Sequence, residues 1–256
     1  MKSSIGEIAN KATVIDKDRR LSYAVELMEK NKIARLPVTE DGELVGIITL
    51  RDMLEKIGSS RSLNLRTSSF HVSSCMTSDP FYLGESEKII EAIIAFKEKG
   101  FSGIPVLGEK IGIVTKTDIL KNCKIDGYVS EIMSTSFKMV SPSDRVIHAR
   151  RLLLDNNQHA LPVWEGELVG VVTIQDIVFS MNEFREKTPG KYMENRLKDF
   201  VIGEVMSPAP IFARLEDKAD DIKDSLIENY FSSMPVLNFE DHVVGIISKD
   251  DMIKSL

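Results

Sequence analysis

The 256-residue sequence predicts an α/β protein made of four β-α-β-β-α repeats. The first observation is a motif that occurs four times: Pro-Val, then Gly, then Thr or Ser, and Asp three residues after that hydroxyl residue. The second is its spacing, because six residues separate Gly from Asp in every copy, whereas Pro and Gly lie seven to ten apart. This pattern is typical of a fixed strand-to-helix turn after a hairpin loop of variable length. The copies span residues 36–52, 104–118, 161–176 and 234–251.

Each element of the repeat has its own signal. A Met-Ser/Thr segment opens three copies, and the first copy has Ala9 where the others have Met. Apolar residues 13 and 9 positions before the Pro, such as Ala24 and Met28, predict one face of an amphipathic helix. The β-branched run over 44–48 predicts a buried strand, and Met53 with its counterparts begins the apolar face of a second helix.

One repeat of about fifty residues buries too little surface to be stable alone, so we expect the repeats to pair. The Ser-rich segment 57–70 separates repeats 1 and 2, and the charged, partly helical segment 180–200 separates repeats 3 and 4. We therefore predict that repeat 1 pairs with 2 and repeat 3 with 4. The first predicted pair is 1–123, with repeats at about 5–57 and 72–123; the second is 124–256, with repeats at about 129–181 and 201–256.

Composition excludes several classes of protein. The net charge is −6 and basic residues form no long run, which argues against a nucleic-acid partner. No apolar run approaches the length of a membrane span, and the N-terminus lacks the apolar core of a secretory signal. Two cysteines without metal-ligand spacing predict neither a disulfide framework nor a metal site, and the protein is expected in the cytoplasm.

The Thr/Ser-x-x-Asp turn has two interpretations. A hydroxyl residue at the N-cap with an acid three positions later is a capping box, which satisfies N–H groups at the start of a helix. However, the acid is Asp in all four copies, although the capping box favours Glu or Gln. A short carboxylate beside a hydroxyl at a helix N-terminus can also hold a ribose diol next to a phosphate. The cap and the ligand site are compatible with each other.

The whole chain resembles proteins with four CBS domains arranged as two tandem pairs, or Bateman modules, like the gamma subunit of AMP-activated protein kinase. The resemblance rests on the Met-Ser/Thr starts, the Pro-Val step and the Gly-to-Asp ending in four copies. It implies that the Asp binds ribose, the hydroxyl residue approaches phosphate, and adenine lies in an apolar cleft between paired repeats. The ribose candidates are Asp52, Asp118, Asp176 and Asp251; the phosphate-side candidates are Thr49, Thr115, Thr173 and Ser248; the adenine candidates are Val14, Phe81, Val140 and Ile211.

The copies differ in nearby bases. Two residues before the Pro, where the resemblance implies a base, repeat 1 has Arg35, and the corresponding Ala160 of repeat 3 has His159 beside it. Arg51 also stands near the first motif. Lys116 and Lys249 lie inside their turns and are either phosphate ligands or solvated lysines. The basic stretch 145–151 of the third repeat is predicted to be mostly solvated.

These observations predict a non-catalytic regulatory protein that binds AMP, ADP or ATP and acts on a protein partner through module geometry or affinity. No nucleophile triad, paired acid–base carboxylates, P-loop or catalytic cofactor motif is found, so no catalytic residue is predicted. Two alternatives stay open: an interaction scaffold with empty clefts, and a module for S-adenosylmethionine. The sequence also leaves open whether one chain forms a monomeric four-repeat disc or pairs with a second chain as a homodimer.

Overall fold

The computed structural model describes residues 4–57 and 64–256, so part of the Ser-rich connection predicted over 57–70 lies outside the described residues. The predicted β-α-β-β-α order is present in each repeat, although the first strand of repeat 3 is reduced to a bridge between Val140 and Val163. The protein is thus a mixed α/β protein with a small sheet in each repeat.

The first two repeats contain the following elements in chain order: β1 (Asn10–Lys11), β2 (Ile15–Asp16), α1 (Leu21–Asn31), β3 (Arg35–Glu40), β4 (Glu43–Thr49), α2 (Leu50–Ile57), β5 (Thr77–Ser78), β6 (Leu83–Gly84), α3 (Ile89–Lys99), β7 (Gly103–Leu107), β8 (Gly112–Thr115) and α4 (Lys116–Leu120).

The last two repeats continue the series: α5 (Val129–Ile132), α6 (Val146–Asp155), β9 (Ala160–Trp164), β10 (Leu168–Thr173), α7 (Ile174–Lys187), α8 (Gly190–Asp199), β11 (Ser207–Pro208), β12 (Ala213–Arg214), α9 (Ala219–Glu228), β13 (Ser233–Leu237), β14 (Val243–Ser248) and α10 (Lys249–Ser255). The charged segment 180–200 is helical, as predicted, because α7 runs on to Lys187 and α8 follows.

Each sheet is completed by a segment that belongs to the start of another repeat. The sheet of repeat 1 has the order β2-β3-β4-β5, and β5 lies at the start of repeat 2. The sheet of repeat 2 has the order β6-β7-β8-β1, and β1 lies at the start of repeat 1. Repeats 3 and 4 show the same exchange, since β11 pairs with β10 and Ser134 bridges to Ile246. We call β1, β5, β11 and the segment around Ser134 the exchanged segments. The exchange links repeat 1 to 2 and repeat 3 to 4.

The exchanged segments explain why Met and Gly recur in the motif. A Cβ added to Gly46 would lie 2.7 Å from Sδ of Met76, and Gly170 and Gly245 have the same relation to the Met of their exchanged segments. The Met side chain therefore fills the space that the side chain of any residue larger than Gly would need at this position. In repeat 2, where Ala9 replaces the Met, the nearest atom to a Cβ on Gly112 is the Asn10 carbonyl oxygen at 3.3 Å.

The described residues form two compact units, each with its own core. The 1/3 unit comprises the described residues of Thr13–Pro80 and Lys138–Pro210, and in it α2 packs against α7. The 2/4 unit comprises those of Met1–Ala12, Phe81–Phe137 and Ile211–Leu256, and in it α4 packs against α10.

This division differs from the predicted boundary between residues 123 and 124, because each unit takes residues from both halves of the chain. The apolar faces of the motif helices supply the reason: they are buried by a helix of the repeat two positions along the chain. The pairing of repeat 1 with 2 and of repeat 3 with 4 stays a prediction, and the exchanged segments support it.

Candidate functional site

The Thr/Ser-x-x-Asp turn has one geometry in all four repeats. In repeat 1 the Thr49 N–H donates to Asp52 Oδ2 at 2.8 Å, the Thr49 hydroxyl donates to the same oxygen at 2.7 Å, and the Asp52 N–H donates to Thr49 Oγ1 at 3.3 Å. The turns of Thr115/Asp118, Thr173/Asp176 and Ser248/Asp251 likewise direct the N–H and hydroxyl of the first residue to Oδ2 of the Asp. The capping interpretation is therefore realised in every copy.

The cap uses only one of the two carboxylate oxygens. In the described part of the chain, Oδ1 of Asp52, Asp176 and Asp251 accepts no hydrogen bond. A carboxylate oxygen has two lone pairs, so three turns present an open acceptor that the cap holds in a fixed orientation. Asp118 differs, because its Oδ1 accepts a hydrogen bond of 2.7 Å from Asn10 Nδ2.

Burial changes the acidity of these carboxylates. It raises the pKa of Asp52, Asp176 and Asp251, because the charged form loses hydration, and the hydrogen bonds from Thr or Ser oppose part of that rise. An under-solvated carboxylate with an open oxygen has a strong need for hydrogen-bond donors. A vicinal diol can supply two of them.

The strand register places Arg35 beside the hydroxyl of the first turn. The Cα atoms of Arg35 and Thr49 are direct partners across the antiparallel β3–β4 pair. Such cross-strand neighbours lie about 4.5–5.5 Å apart. The corresponding partners are Gly103 with Thr115, Ala160 with Thr173, and Ser233 with Ser248. Arg35, which is half-buried, is thus the basic residue among these four partners. In repeat 3, His159 lies one residue before Ala160, and its carbonyl oxygen accepts the Ile174 N–H at 3.2 Å.

Lys116 and Lys249 are the first residues of α4 and α10 in the 2/4 unit, and the side chain of each contacts the other helix. Lys116 is buried, with 6% of the residue exposed. Its ammonium group forms an ion pair with Asp250 and lies 5.9 Å from the centre of the Phe96 ring. Lys249 donates to Thr117 Oγ1 at 3.0 Å. The expectation of solvated lysines is wrong for Lys116, and its charge is compensated within the protein without a phosphate.

Arg51, near the first motif, and Arg150, in the basic stretch, bind backbone carbonyl oxygens in or near the last turns of helices. Arg51 donates to the carbonyl oxygens of Leu153, in the last turn of α6, and Gln158 at 3.3 and 2.9 Å. Arg150 donates to those of Leu54 and Glu55, in the last turns of α2, at 2.8 Å each. Arginine at a helix C-terminus meets unpaired carbonyls and the negative end of the helix dipole. The prediction that the stretch 145–151 is mostly solvated is therefore wrong for Arg150.

The predicted adenine contacts need one correction. Val14, Phe81 and Ile211 are 41%, 40% and 47% exposed, as a ligand contact requires. Val140 is 4% exposed, because its parallel bridge to Val163 directs it into the core. The adjacent Met139 is 40% exposed and takes its place on the surface. Alternation along an extended segment moves every side chain to the other face when the register shifts by one residue, and sequence reasoning missed this shift.

Two classes of site find no support in the described residues. Across residues 4–57 and 64–256, His, Cys, Asp and Glu side chains form no group of three or more that could hold a metal ion. Among the same residues, no helix has both the length and the apolar character that crossing a membrane requires.

Comparison with known proteins identifies the repeats. The CBS domain matches this chain four times, at residues 5–59, 72–124, 129–183 and 202–256, so the chain belongs to the CBS domain family. These boundaries lie within three residues of the predicted repeats, and the family resemblance is confirmed.

Two relatives match this chain over most of its length and most of their own. Protein MJ1225 of Methanocaldococcus jannaschii is 27% identical over 254 residues, which is 90% of each chain. A 33.4 kDa protein in a ribosomal RNA operon of Thermofilum pendens is 24% identical over 263 residues, 95% of this chain and 87% of that protein.

Solved structures show the same fold. The crystal structure of MJ1225 superposes with a TM-score of 0.85 at 24% identity and covers 98% of this chain and 99% of that one. A conserved protein from Pyrococcus horikoshii superposes with a TM-score of 0.63 at 19% identity, covering 98% of both chains.

Proposed function

We propose that this protein is a non-catalytic regulatory sensor that binds an adenine nucleotide, AMP, ADP or ATP, at its Thr/Ser-x-x-Asp turns. The observation that carries the proposal is the partly buried carboxylate with one oxygen fixed by the cap and the other open, as in Asp52. The ribose diol donates to the open oxygen. The phosphate lies towards the Thr49 hydroxyl and the neighbouring Arg35.

The link to energy sensing belongs to the same proposal. The structure of MJ1225 is described as that of a candidate archaeal homologue of g-AMPK. We propose by analogy that the bound nucleotide changes the affinity for a regulated protein partner in the cytoplasm. A ligand shifts such an equilibrium only by its difference in affinity for the two states. A monomeric four-repeat disc and a homodimer are both compatible with this proposal.

The first experiment is calorimetric titration of nucleotide-stripped protein with AMP, ATP and S-adenosylmethionine in parallel. Binding of AMP or ATP at one to three sites per chain supports the sensor. Binding of S-adenosylmethionine alone would identify the other ligand class, and no heat from any of the three in folded, ligand-free protein would favour the scaffold.

Two variants test the roles of individual residues. Asp52→Ala should weaken one site by about 2–4 kcal/mol, roughly 30- to 800-fold, if the carboxylate accepts two charge-assisted hydrogen bonds. Arg35→Ala should remove the preference for AMP over adenosine at that site. Lys30→Ala, an exposed charge on α1, is the control for the loss of one positive charge. If adenosine competes with AMP equally in the unmodified protein, the phosphate assignment is wrong.

A further inference from the structure

Four side chains hold equivalent positions beside the four turns. Each lies in an exchanged segment and is the Cα partner of the residue that follows the Gly of the motif. Asn10 is paired with Ile113, Thr77 with Ile47, Ser134 with Ile246 and Ser207 with Val171. Three of the four residues carry a short hydroxyl, and only Asn10 carries an amide.

The longer amide reaches the carboxylate of its turn. Asn10 Nδ2 donates to Asp118 Oδ1 at 2.7 Å, while Oδ2 of the same carboxylate receives the N–H and hydroxyl of Thr115 at 2.8 and 2.6 Å. Both oxygens of Asp118 are therefore engaged by the protein. Within the described residues, neither Thr77 nor Ser134 nor Ser207 bonds to the Asp of its turn.

The surroundings of the second turn agree with a closed site. Asp118 is 7% exposed, whereas its three counterparts are only partly buried. Phe81, the exposed apolar side chain at the start of this repeat, is stacked on Phe101 with ring centres 5.5 Å apart. Lys116, the base of this turn, is held by Asp250. The protein's own groups thus engage the carboxylate and the cation of this turn, and Phe101 covers one face of the Phe81 ring, which stays 40% exposed.

We propose that Asn10 determines which turns accept a nucleotide: it closes the turn of repeat 2 to a ribose diol and leaves those of repeats 1, 3 and 4 open. This inference rests on the proposed function, because it concerns the same type of site. A diol that binds Asp118 must first displace the Asn10 amide. We expect this to weaken nucleotide binding there by about 10- to 150-fold, the equivalent of one charge-assisted hydrogen bond.

The test exchanges the residues between two repeats. Asn10→Ser gives repeat 2 the residue of repeats 3 and 4, and Thr77→Asn gives repeat 1 the residue of repeat 2. In calorimetric titration with AMP, N10S should gain one site or tighten one at least tenfold, and the gain should disappear in N10S combined with Asp118→Ala. T77N should weaken the site that Asp52→Ala weakens. If N10S and T77N both titrate like the unmodified protein, the proposal is overturned.

A ligand-free measurement separates this proposal from the proposed function. The side-chain amide resonances of Asn10 in a ¹⁵N-correlated NMR spectrum should shift when Asp118 is replaced by Ala, and the shift should be absent when Asp52 is replaced. If they do not move in the Asp118 variant, the hydrogen bond is not formed and the inference fails even if nucleotides bind. If they move but the protein binds no nucleotide, the proposed function fails and Asn10 only stabilises the turn.

Discussion

In the turn of repeat 1, one oxygen of Asp52 closes the helix cap, while burial raises the pKa of the whole carboxyl group. Between the ordinary aspartate pKa and this raised value, the folded protein binds more protons than the unfolded chain does. The free energy of unfolding therefore falls as the pH rises through that window. The charge at Asp52 thus opposes folding at neutral pH, which is consistent with the proposal that this carboxylate serves ligand binding.

Asp52→Asn should separate the two roles. The amide oxygen can still accept the Thr49 N–H, so the cap is kept, and we expect a melting temperature at pH 7 equal to or above that of the unmodified protein. This difference should shrink as the pH falls towards the ordinary aspartate pKa, whereas AMP affinity at this site should be lost at pH 7. Melting curves at several pH values and a titration with AMP measure both effects.

The control for Asp52→Asn is Asp41→Asn. Asp41 is an exposed residue in the β3–β4 loop with φ of 50°, a conformation that Asn tolerates well. The Asp41→Asn substitution removes one negative charge, as Asp52→Asn does, but lies outside the Thr49–Asp52 turn. A destabilisation of D52N that grows as the pH rises towards 7 would show instead that the carboxylate charge itself stabilises the fold.

Among the elements, the contact between the Gly of β4 and the Met of its exchanged segment gives a sharp prediction. Gly46→Ala places a methyl group 2.7 Å from Met76 Sδ and 3.0 Å from the Thr77 carbonyl oxygen, so we expect a loss of about 1–3 kcal/mol. Gly112→Ala, whose nearest atom lies at 3.3 Å, should cost less. Denaturant unfolding of both variants tests the difference.

A second substitution checks the cause of the Gly46 effect. Met76→Ala alone recreates the arrangement of repeat 2, where Ala9 stands in place of Met beside a Gly, and in the G46A background it removes the side chain that the new methyl group would meet. G46A should therefore cost less stability in the M76A background than it does in the unmodified protein. Additive losses in the double variant would show that the two side chains do not meet.

At helix α2, arginines from repeat 3 bind the C-terminal carbonyls. Arg150 binds Leu54 and Glu55, and the fully buried Arg185 donates to the Ile57 and Leu65 carbonyls, the latter at 2.7 Å. Burial lowers the pKa of Arg185 to about 10, and the charge of Arg150 adds to this effect. The cation remains protonated at neutral pH and anchors the end of the helix.

Arg150→Ala should lower the free energy of unfolding by about 1–3 kcal/mol, because it removes two charge-assisted hydrogen bonds and leaves the end of α2 without its partner. Its neighbour Arg151 is exposed, and Arg151→Ala should change stability by less than about 0.5 kcal/mol. Equal effects of the two substitutions in denaturant unfolding would contradict this role for Arg150.

For the whole molecule, each unit takes segments from both halves of the chain, and this has a consequence for truncation. A fragment of residues 1–123 keeps α2 and α4 but lacks α7 and α10, against which they pack. Its core helices would expose the apolar faces that contain Met53, Leu54 and Ile119, all fully buried in the intact chain. We expect this fragment to self-associate, with a second copy supplying equivalent helices. Light scattering coupled to gel filtration measures the state, and a stable monomeric fragment would contradict the expectation.

How much was predictable differs between the fold and the site. The order of elements, the four repeats and the turn aspartates follow from the sequence, because they depend on local periodicity and spacing that recur four times. The role of Val140 did not, since a one-residue shift of register exchanges the core and surface faces. The role of Arg150 did not either, because its partners are backbone carbonyls 95 and 96 residues away, and such groups leave no mark in the side-chain sequence.

The sequence by itself determined that this protein is built from four CBS repeats and that each ends in a capped carboxylate, because these properties are set by residues close together in the chain. Only the tertiary structure decided which repeats share a core and which carboxylate is already occupied. Both depend on contacts between segments far apart in sequence, as in the 108-residue separation of Asn10 and Asp118. A pattern of spacing fixes what a local segment can form, whereas long-range packing fixes which of its polar groups remain open to a ligand.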